Sequence, residues 1–163
     1  MGYITYNYYV QLYGSEQLSS NDFNIVSLQA FRIMDKYTTG IDGVKKLRIA
    51  FPTDEYDAET VKQCAARLVN IAAQLATAEK AANNRYTQTA NGLQGKVIAS
   101  ISAGNESITY ATNSTATTVV EKAAADKNEQ NRLYRDTIRD YLSGVTDANG
   151  VNLLYMGRYP FDV

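Results

Sequence analysis

The sequence predicts a mainly α-helical fold, a small bundle of three to four helices with an inserted β-hairpin and an extended C-terminal tail. Two observations lead to this prediction. Apolar residues recur at intervals of three and four in three long stretches, which is the spacing of a helix with one buried face. One short stretch before the last of them alternates polar and apolar residues instead, which is the spacing of a β-strand.

Length and composition limit the class of protein. A chain of 163 residues with 45% hydrophobic content can form one domain with a core. The 16 basic and 17 acidic residues give a net charge of −1, without the basic excess of most nucleic-acid binders. No apolar run approaches the ~20 residues of a membrane span, and no secretion signal opens the chain. We therefore expect a soluble protein, made in a cytoplasm, that binds other proteins and no membrane.

The first two helices have recognisable ends. The stretch "ITYNYYVQLYG" fits both periods, but Thr5 can cap a short helix and Gly14 can end it, and no strand partner lies nearby. The second helix begins after Ser19 or Ser20 and ends near Thr38. Its apolar face comprises Phe23, Val26, Ala30, Met34 and Tyr37.

Two longer helices follow. The first is expected after Pro52, with Asp57 as its cap and an end near Asn83. Its face comprises Val61, Cys64, Leu68, Ile71, Leu75 and Ala78. The second ends before Gly144, and its polar stretch 126–132 fits either a solvated face or a contact between subunits. Its apolar positions are Val120, Ala123, Tyr134, Ile138, Tyr141 and Leu142.

Residues 97–111, "VIASISAGNESITYA", predict the hairpin. A turn at Gly104-Asn105 sets Ile101 opposite Ile108 and Ala99 opposite Tyr110. A two-stranded hairpin alone is marginal in water, so its apolar face and edges need cover. We expect part of that cover to come from another chain. The candidate assembly residues are Ile101, Ile108 and Tyr110.

The tail, residues 145–163, is expected to dock onto a surface rather than belong to the helical domain of residues 1–144. It has a turn at Asn149-Gly150 and an apolar cluster of Leu153, Leu154 and Tyr155, but too little periodicity to fold by itself.

The residue types argue against an enzyme. One cysteine and no histidine exclude zinc clusters, Ser-His-Asp and Cys-His catalysis, and disulfides. Cys64 is expected to be a small buried side chain, and the acidic run 54–59 to open a helix rather than hold a metal. We predict no catalytic, metal or cofactor site. Thirteen tyrosines against four phenylalanines favour surfaces that are buried in an assembly.

Three stretches together resemble the head-tail connector, or neck adaptor, proteins of tailed bacteriophages. The first is "ITYNYYVQLYG" followed by "NDFNIVSLQAFRIMDKYT", the second is the serine-rich hairpin, and the third is "YLSGVTDANGVNLLYMGR". The third is similar to the closing run of that family, except that Met156 stands where a basic residue is more usual, with Arg158 two places on.

The resemblance implies a structural virion protein at the head-tail interface, synthesised in the bacterial host cytoplasm. It implies a homo-oligomer, a twelve-fold ring beneath the portal protein, that also contacts the next neck, stopper or tail-completion protein. Genomic DNA passes through such a ring without specific binding. The portal-docking residues would be Leu153, Leu154, Tyr155 and Arg158. The basic run "KKLR", Lys45 to Arg48, is expected to face away from the channel.

Two alternatives remain open from the sequence. One is another phage morphogenesis part, such as a tail-completion protein, which would bind the tail tube. The other, from a different class, is a small nucleic-acid-binding helical protein, whose binding would weaken with salt.

Overall fold

The computed structural model describes the backbone of residues 2–84, 86–89, 92–95, 98–102, 107–110 and 118–161. The described side chains are those of residues 2–80, 118–120 and 122–161. The chain divides into two compact units: unit 1 comprises Met1–Ala73 with Asn131–Val163, and unit 2 comprises Gln74–Gln130.

Six helices lie in the described part of the chain, which confirms the mainly helical class. They are α1 Tyr6–Tyr13, α2 Ser20–Tyr37, α3 Lys46–Ile49, α4 Glu55–Asn84, α5 Val119–Ala125 and α6 Lys127–Leu142. None of the helices among the described residues combines the length and the apolar character that crossing a membrane requires.

The predicted ends of the first two helices are confirmed. The hydroxyl of Thr5 accepts a hydrogen bond from the amide of Tyr8 at 3.3 Å, and Gly14 ends α1 with φ of +82°. The hydroxyl of Ser19 accepts from the amide of Asp22 at 3.2 Å, at the start of α2. Each cap satisfies an amide that has no partner inside its helix.

The predicted cap of α4 is wrong. Oδ1 of Asp54, not of Asp57, accepts at the helix start, from the Asp57 amide at 3.0 Å. Oδ2 of Asp57 instead accepts from the amide and the hydroxyl of Thr146, at 3.0 and 3.2 Å. Both aspartates suit the start of a helix. Thr146 binds the carboxylate of Asp57, and Asp54 acts as the cap.

The core of unit 1 follows the predicted apolar faces. Fully buried side chains include Tyr9, Met34, Val61, Cys64, Leu68, Ile71, Ile138, Leu142 and Leu153. Burying one large aliphatic side chain contributes roughly 1.5–3 kcal/mol, so these positions dominate the stability of the unit. Burial also raises the pKa of the Cys64 thiol to about 12, in agreement with its predicted role as a small apolar side chain.

Two helices differ from the prediction. The sequence does not predict the short helix α3, because its four residues, two of them basic, are too few to show an apolar face. The expected third long helix is two helices, α5 and α6. Oδ1 of Asp126 accepts from the amide of Asn128 at 2.8 Å and so starts α6 afresh inside the polar stretch.

Unit 2 contains two antiparallel strand pairs. Strand β1, Tyr86–Thr89, pairs with β2, Gly92–Gly95, and neither was predicted. Strand β3, Ile98–Ser102, pairs with β4, Ser107–Tyr110, with Ile101 opposite Ile108.

The predicted pairing of Ala99 with Tyr110 is wrong, since Ile98 stands opposite Tyr110 and the register shifts between residues 98 and 100. The predicted turn at Gly104-Asn105 and the side chains of Ile101, Ile108 and Tyr110 lie outside the described residues. The inserted hairpin and its assembly role therefore stay predictions.

The residues after Gly144 do not form a unit of their own, because they belong to unit 1. Val145, Leu153 and Tyr159 are buried there. The segment is thus part of the folded core, although it contains no helix or paired strand beyond one bridge between Thr146 and Asn152.

Candidate interaction surface

A tight loop joins α2 to α3 and presents an exposed isoleucine. Thr39 and Lys45 form a bridge across the loop, and the amide of Gly43 donates to the carbonyl of Gly40 at 3.0 Å. Gly43 has φ of +79°, which an L side chain rarely adopts. The loop, residues 39–45, therefore holds Ile41 outward, and 85% of that side chain is exposed.

A second turn lies in the C-terminal segment, residues 145–161. Oδ1 of Asp147 accepts from the amides of Asn149 and Val151, both at 2.9 Å. The Asp147 amide donates to the Val151 carbonyl at 2.8 Å, and Gly150 has φ of +78°. The predicted turn at Asn149-Gly150 is confirmed, and the carboxylate of Asp147 organises it.

The loop 39–45 and the C-terminal segment are joined by one hydrogen bond between backbones and one from a backbone amide to a carboxylate. The Ile41 amide donates to the Met156 carbonyl at 3.0 Å, and the Tyr159 amide donates to Oδ2 of Asp42 at 2.6 Å. A Cβ on Gly40 would lie 2.6 Å from the carbonyl oxygen of Gly157, so only glycine permits this approach. The Asp42 carboxyl accepts two backbone amides, chiefly that of Tyr159, and these lower its pKa.

Lys46 lies beneath this junction. Only 1% of its surface is exposed, and its ammonium donates to the carbonyls of Asn152, at 3.3 Å, and of Tyr155. Burial lowers the pKa of Lys46, while the charges of Asp147 and Asp42 oppose that shift. A buried ammonium needs such partners, because an unpaired charge in the interior is costly. Lys46 therefore ties the C-terminal segment to α3.

Tyr159 completes the junction. Its hydroxyl donates to Oδ2 of Asp147 at 2.6 Å and accepts from Nδ2 of Asn149 at 2.9 Å. Burial, and then the hydrogen bond to Asp147, raise the pKa of Tyr159. The Tyr159 side chain thus connects the end of the C-terminal segment to the Asn149-Gly150 turn near its start.

Four apolar side chains are exposed at this junction: Ile41, Tyr155, Met156 and Phe161. Together they define the exposed edge. Tyr155, Met156 and Phe161 are about half exposed, at 50%, 58% and 49%. The Tyr155 ring lies against Gly157 and 5.9 Å from the Lys46 ammonium. These side chains are presented by a fixed backbone, which lowers the entropy cost of binding a partner.

The structure divides the predicted docking residues. Leu153 is fully buried and its amide donates to the Val145 carbonyl at 3.0 Å, so its side chain packs in the core of its own chain and is not presented to a partner. Leu154 is half-buried. Tyr155 and Arg158 face outward, and the charge of Arg158 contributes to the lowered pKa of Asp42.

The basic run "KKLR" does not form a basic patch. Lys46 is buried, and the guanidinium of Arg48 donates to the Asp35 carboxylate, with Nη2 at 2.8 Å from Oδ2. Arg48 also lies over the Tyr3 ring, 4.7 Å from its centroid, and the Tyr3 hydroxyl donates to Asp35. Lys45 and Arg48 are exposed, but the charge of Arg48 is paired with the Asp35 carboxylate.

Sequence reasoning missed Ile41, Asp42 and Lys46. An apolar residue in a loop with glycines on both sides, as in "GIDG", was an available signal for Ile41. Nothing in the sequence separates Lys46 from Lys45, because burial of one lysine depends on carbonyls more than 100 residues away in the chain.

Comparisons with protein families, with curated proteins and with solved structures found no match to this chain. Within the described side chains, no group of three or more potential ligand residues is arranged to hold a metal ion. The exposed edge and the sequence resemblance are therefore the features of this chain that bear on its function.

Proposed function

We propose that this chain is a non-enzymatic structural protein of a phage virion, a subunit of the ring that joins the head to the tail and extends the DNA exit channel. The observation that supports it best is the exposed edge, four apolar side chains on a backbone fixed by Lys46, Asp42 and Tyr159. Soluble proteins expose such side chains together chiefly where a partner covers them.

The portal protein is the proposed partner of the exposed edge. Tyr155 and Met156 supply large contact area, and Arg158 beside them supplies a charge that can select a carboxylate on the partner. Leu153 has a different part in this proposal: it anchors the segment in the core, so that its neighbours face outward. The twelve-fold ring and the next neck protein belong to the same proposal.

The charge distribution is compatible with DNA that slides past without being held. The net charge is −1, and two of the three cations of "KKLR" are paired within the chain, Lys46 with carbonyls and Arg48 with a carboxylate. A ring of such subunits lacks the dense phosphate contacts that give non-specific DNA affinity.

The test is binding of the purified chain to the portal ring encoded in the same genome, followed by electron microscopy of the complexes. Met156→Asp places a charge in the centre of the exposed edge and should abolish ring attachment. Tyr56→Asp is the matched control, because 79% of Tyr56 is exposed in the first turn of α4, outside the exposed edge.

Attachment that survives Met156→Asp would contradict the role of the exposed edge. A wild-type chain that binds no portal, at concentrations up to the solubility of both proteins, would contradict the proposed function. Gel shift at physiological salt adds a direct check on the nucleic-acid alternative, since DNA binding that weakens as salt rises would favour it.

A further inference from the structure

Unit 1 has a second candidate interaction surface besides the exposed edge. It contains a cleft of about 550 Å³ between the start of the chain and α2. Its floor is apolar and buried, with Ile4, Phe23 and Phe31. Ser27 lies one helical turn from each phenylalanine and is small, so it leaves the space between the two rings open. The Ser27 hydroxyl donates to the Asn24 carbonyl at 3.4 Å, so the floor offers no unsatisfied polar group of its own.

The rim of the cleft continues onto the surface as a row on α2. Ile25 and Leu28 are 71% and 62% exposed and lie three residues apart, and Arg32 follows four residues after Leu28 on the same face. Leu28 and Arg32 also line the cleft. The row therefore runs from two exposed apolar side chains to a cation at the mouth of an apolar cleft.

The two arginines at this cleft differ in their availability. Arg48 is held by the Asp35 carboxylate and by the Tyr3 ring. Arg32 is exposed and has no hydrogen bond or ion pair to any side chain or backbone group in the described part of the chain. The surface thus combines an apolar cleft with one uncompensated positive charge, which complements an apolar group adjoining a negative one.

We infer that this cleft binds a peptide segment of a protein partner, which inserts a bulky apolar side chain between Phe23 and Phe31 and pairs a neighbouring carboxylate with Arg32. A peptide fits better than a compact small molecule, because the apolar row of Ile25 and Leu28 extends the contact beyond the cleft. This inference is independent of the proposed function, since it concerns neither the exposed edge nor the portal.

The test begins with selection from a random peptide display library against the full chain, followed by fluorescence anisotropy with the selected peptides. Enriched peptides should share a bulky apolar residue within about one helical turn of Asp or Glu. Arg32→Gln should weaken their binding about threefold to fivefold at low salt, which is the upper part of the range for an exposed ion pair. Arg139→Gln, a matched loss of an exposed arginine on α6 and outside the residues that line the cleft, should leave binding unchanged.

Ser27→Leu fills the cleft and should weaken binding by about tenfold or more, because the leucine occupies the space that the apolar side chain of the peptide needs. Should that variant fail to fold, Arg32→Gln decides alone, since its side chain is exposed. Three results would overturn the inference: no enrichment of any peptide, enriched peptides that lack acidic residues, or equal weakening by Arg32→Gln and Arg139→Gln. Binding of oleate but of no peptide would also overturn it, in favour of a lipid-like ligand.

Discussion

The N-terminal helices and the C-terminal segment of unit 1 are both ordered parts of one core, but they are held in different ways. Helices α1 and α2 are capped by hydroxyls only three residues from the amides they bind, as in Thr5 and Tyr8. The C-terminal segment depends on Lys46 and Asp42, which are 106 and 117 residues from their partners Asn152 and Tyr159.

The difference shows that a segment without periodicity can still be part of a core. In a helix the backbone amides and carbonyls bind one another, so the spacing of apolar side chains along the sequence indicates the helix and its buried face. In residues 145–161 several backbone groups are instead satisfied by the charged side chains of Asp42, Lys46 and Asp57, and one leucine is buried in the core. Lack of pattern was therefore a poor guide to lack of structure.

The largest expected effect comes from comparing one leucine in each kind of region. Leu153 and Leu68 of α4 are both fully buried, so replacing either by alanine should lower the free energy of unfolding by about 3 kcal/mol. Guanidinium titration of the two variants measures this, with half-buried Leu154→Ala as the control that should cost less.

A small loss at Leu153 beside a full loss at Leu68 would break the comparison. The C-terminal segment would then be separable from the helical domain, as the sequence alone predicts.

Lys46→Met tests the buried ammonium. The variant keeps most of the apolar stem but leaves the carbonyls of Asn152 and Tyr155 without a donor, so we expect a loss of about 2 kcal/mol. Lys45→Met is the matched control, because the neighbouring lysine is exposed and should change stability by no more than about 0.5 kcal/mol. Equal stability of the two variants would show that the ammonium contributes nothing to the junction.

Thr5→Ala tests the helical region, because it removes the cap of α1. Loss of this cap should cost about 1 kcal/mol. Hydrogen exchange should speed up at the amides of α1 and leave the C-terminal segment protected, because the cap is local. Faster exchange in residues 145–161 as well would mean that the two regions unfold together.

The smallest expected effect is a dependence on alkaline pH. The folded-state pKa of Tyr159 is raised, so its contribution is fully present below the unfolded pKa of about 10 and is lost as pH rises from there through the folded value. The denaturation midpoint should therefore fall at alkaline pH more steeply in the wild type than in Tyr159→Phe. Parallel curves would contradict the role of the Tyr159 hydroxyl.

Sequence reasoning predicted most of the helical part of unit 1. The apolar faces of α2 and α4 and the caps Thr5 and Ser19 are confirmed, because spacing and capping are local properties. Prediction failed at α3 and at the break before α6. A four-residue helix has no room for periodicity, and the polar stretch holds several residues that can cap a helix, so Asp126 does not stand out.

For the candidate surfaces, the sequence alone proposed Tyr155 and Arg158 as docking residues and predicted α2, which forms one side of the cleft. Only the tertiary structure decided that Leu153 points into the core, that Lys46 is buried while Lys45 is not, and that Asp57 binds Thr146 instead of capping α4. Each of these depends on a partner 89 or more residues away in the chain, or on a core assembled from several helices, and such partners leave no local pattern.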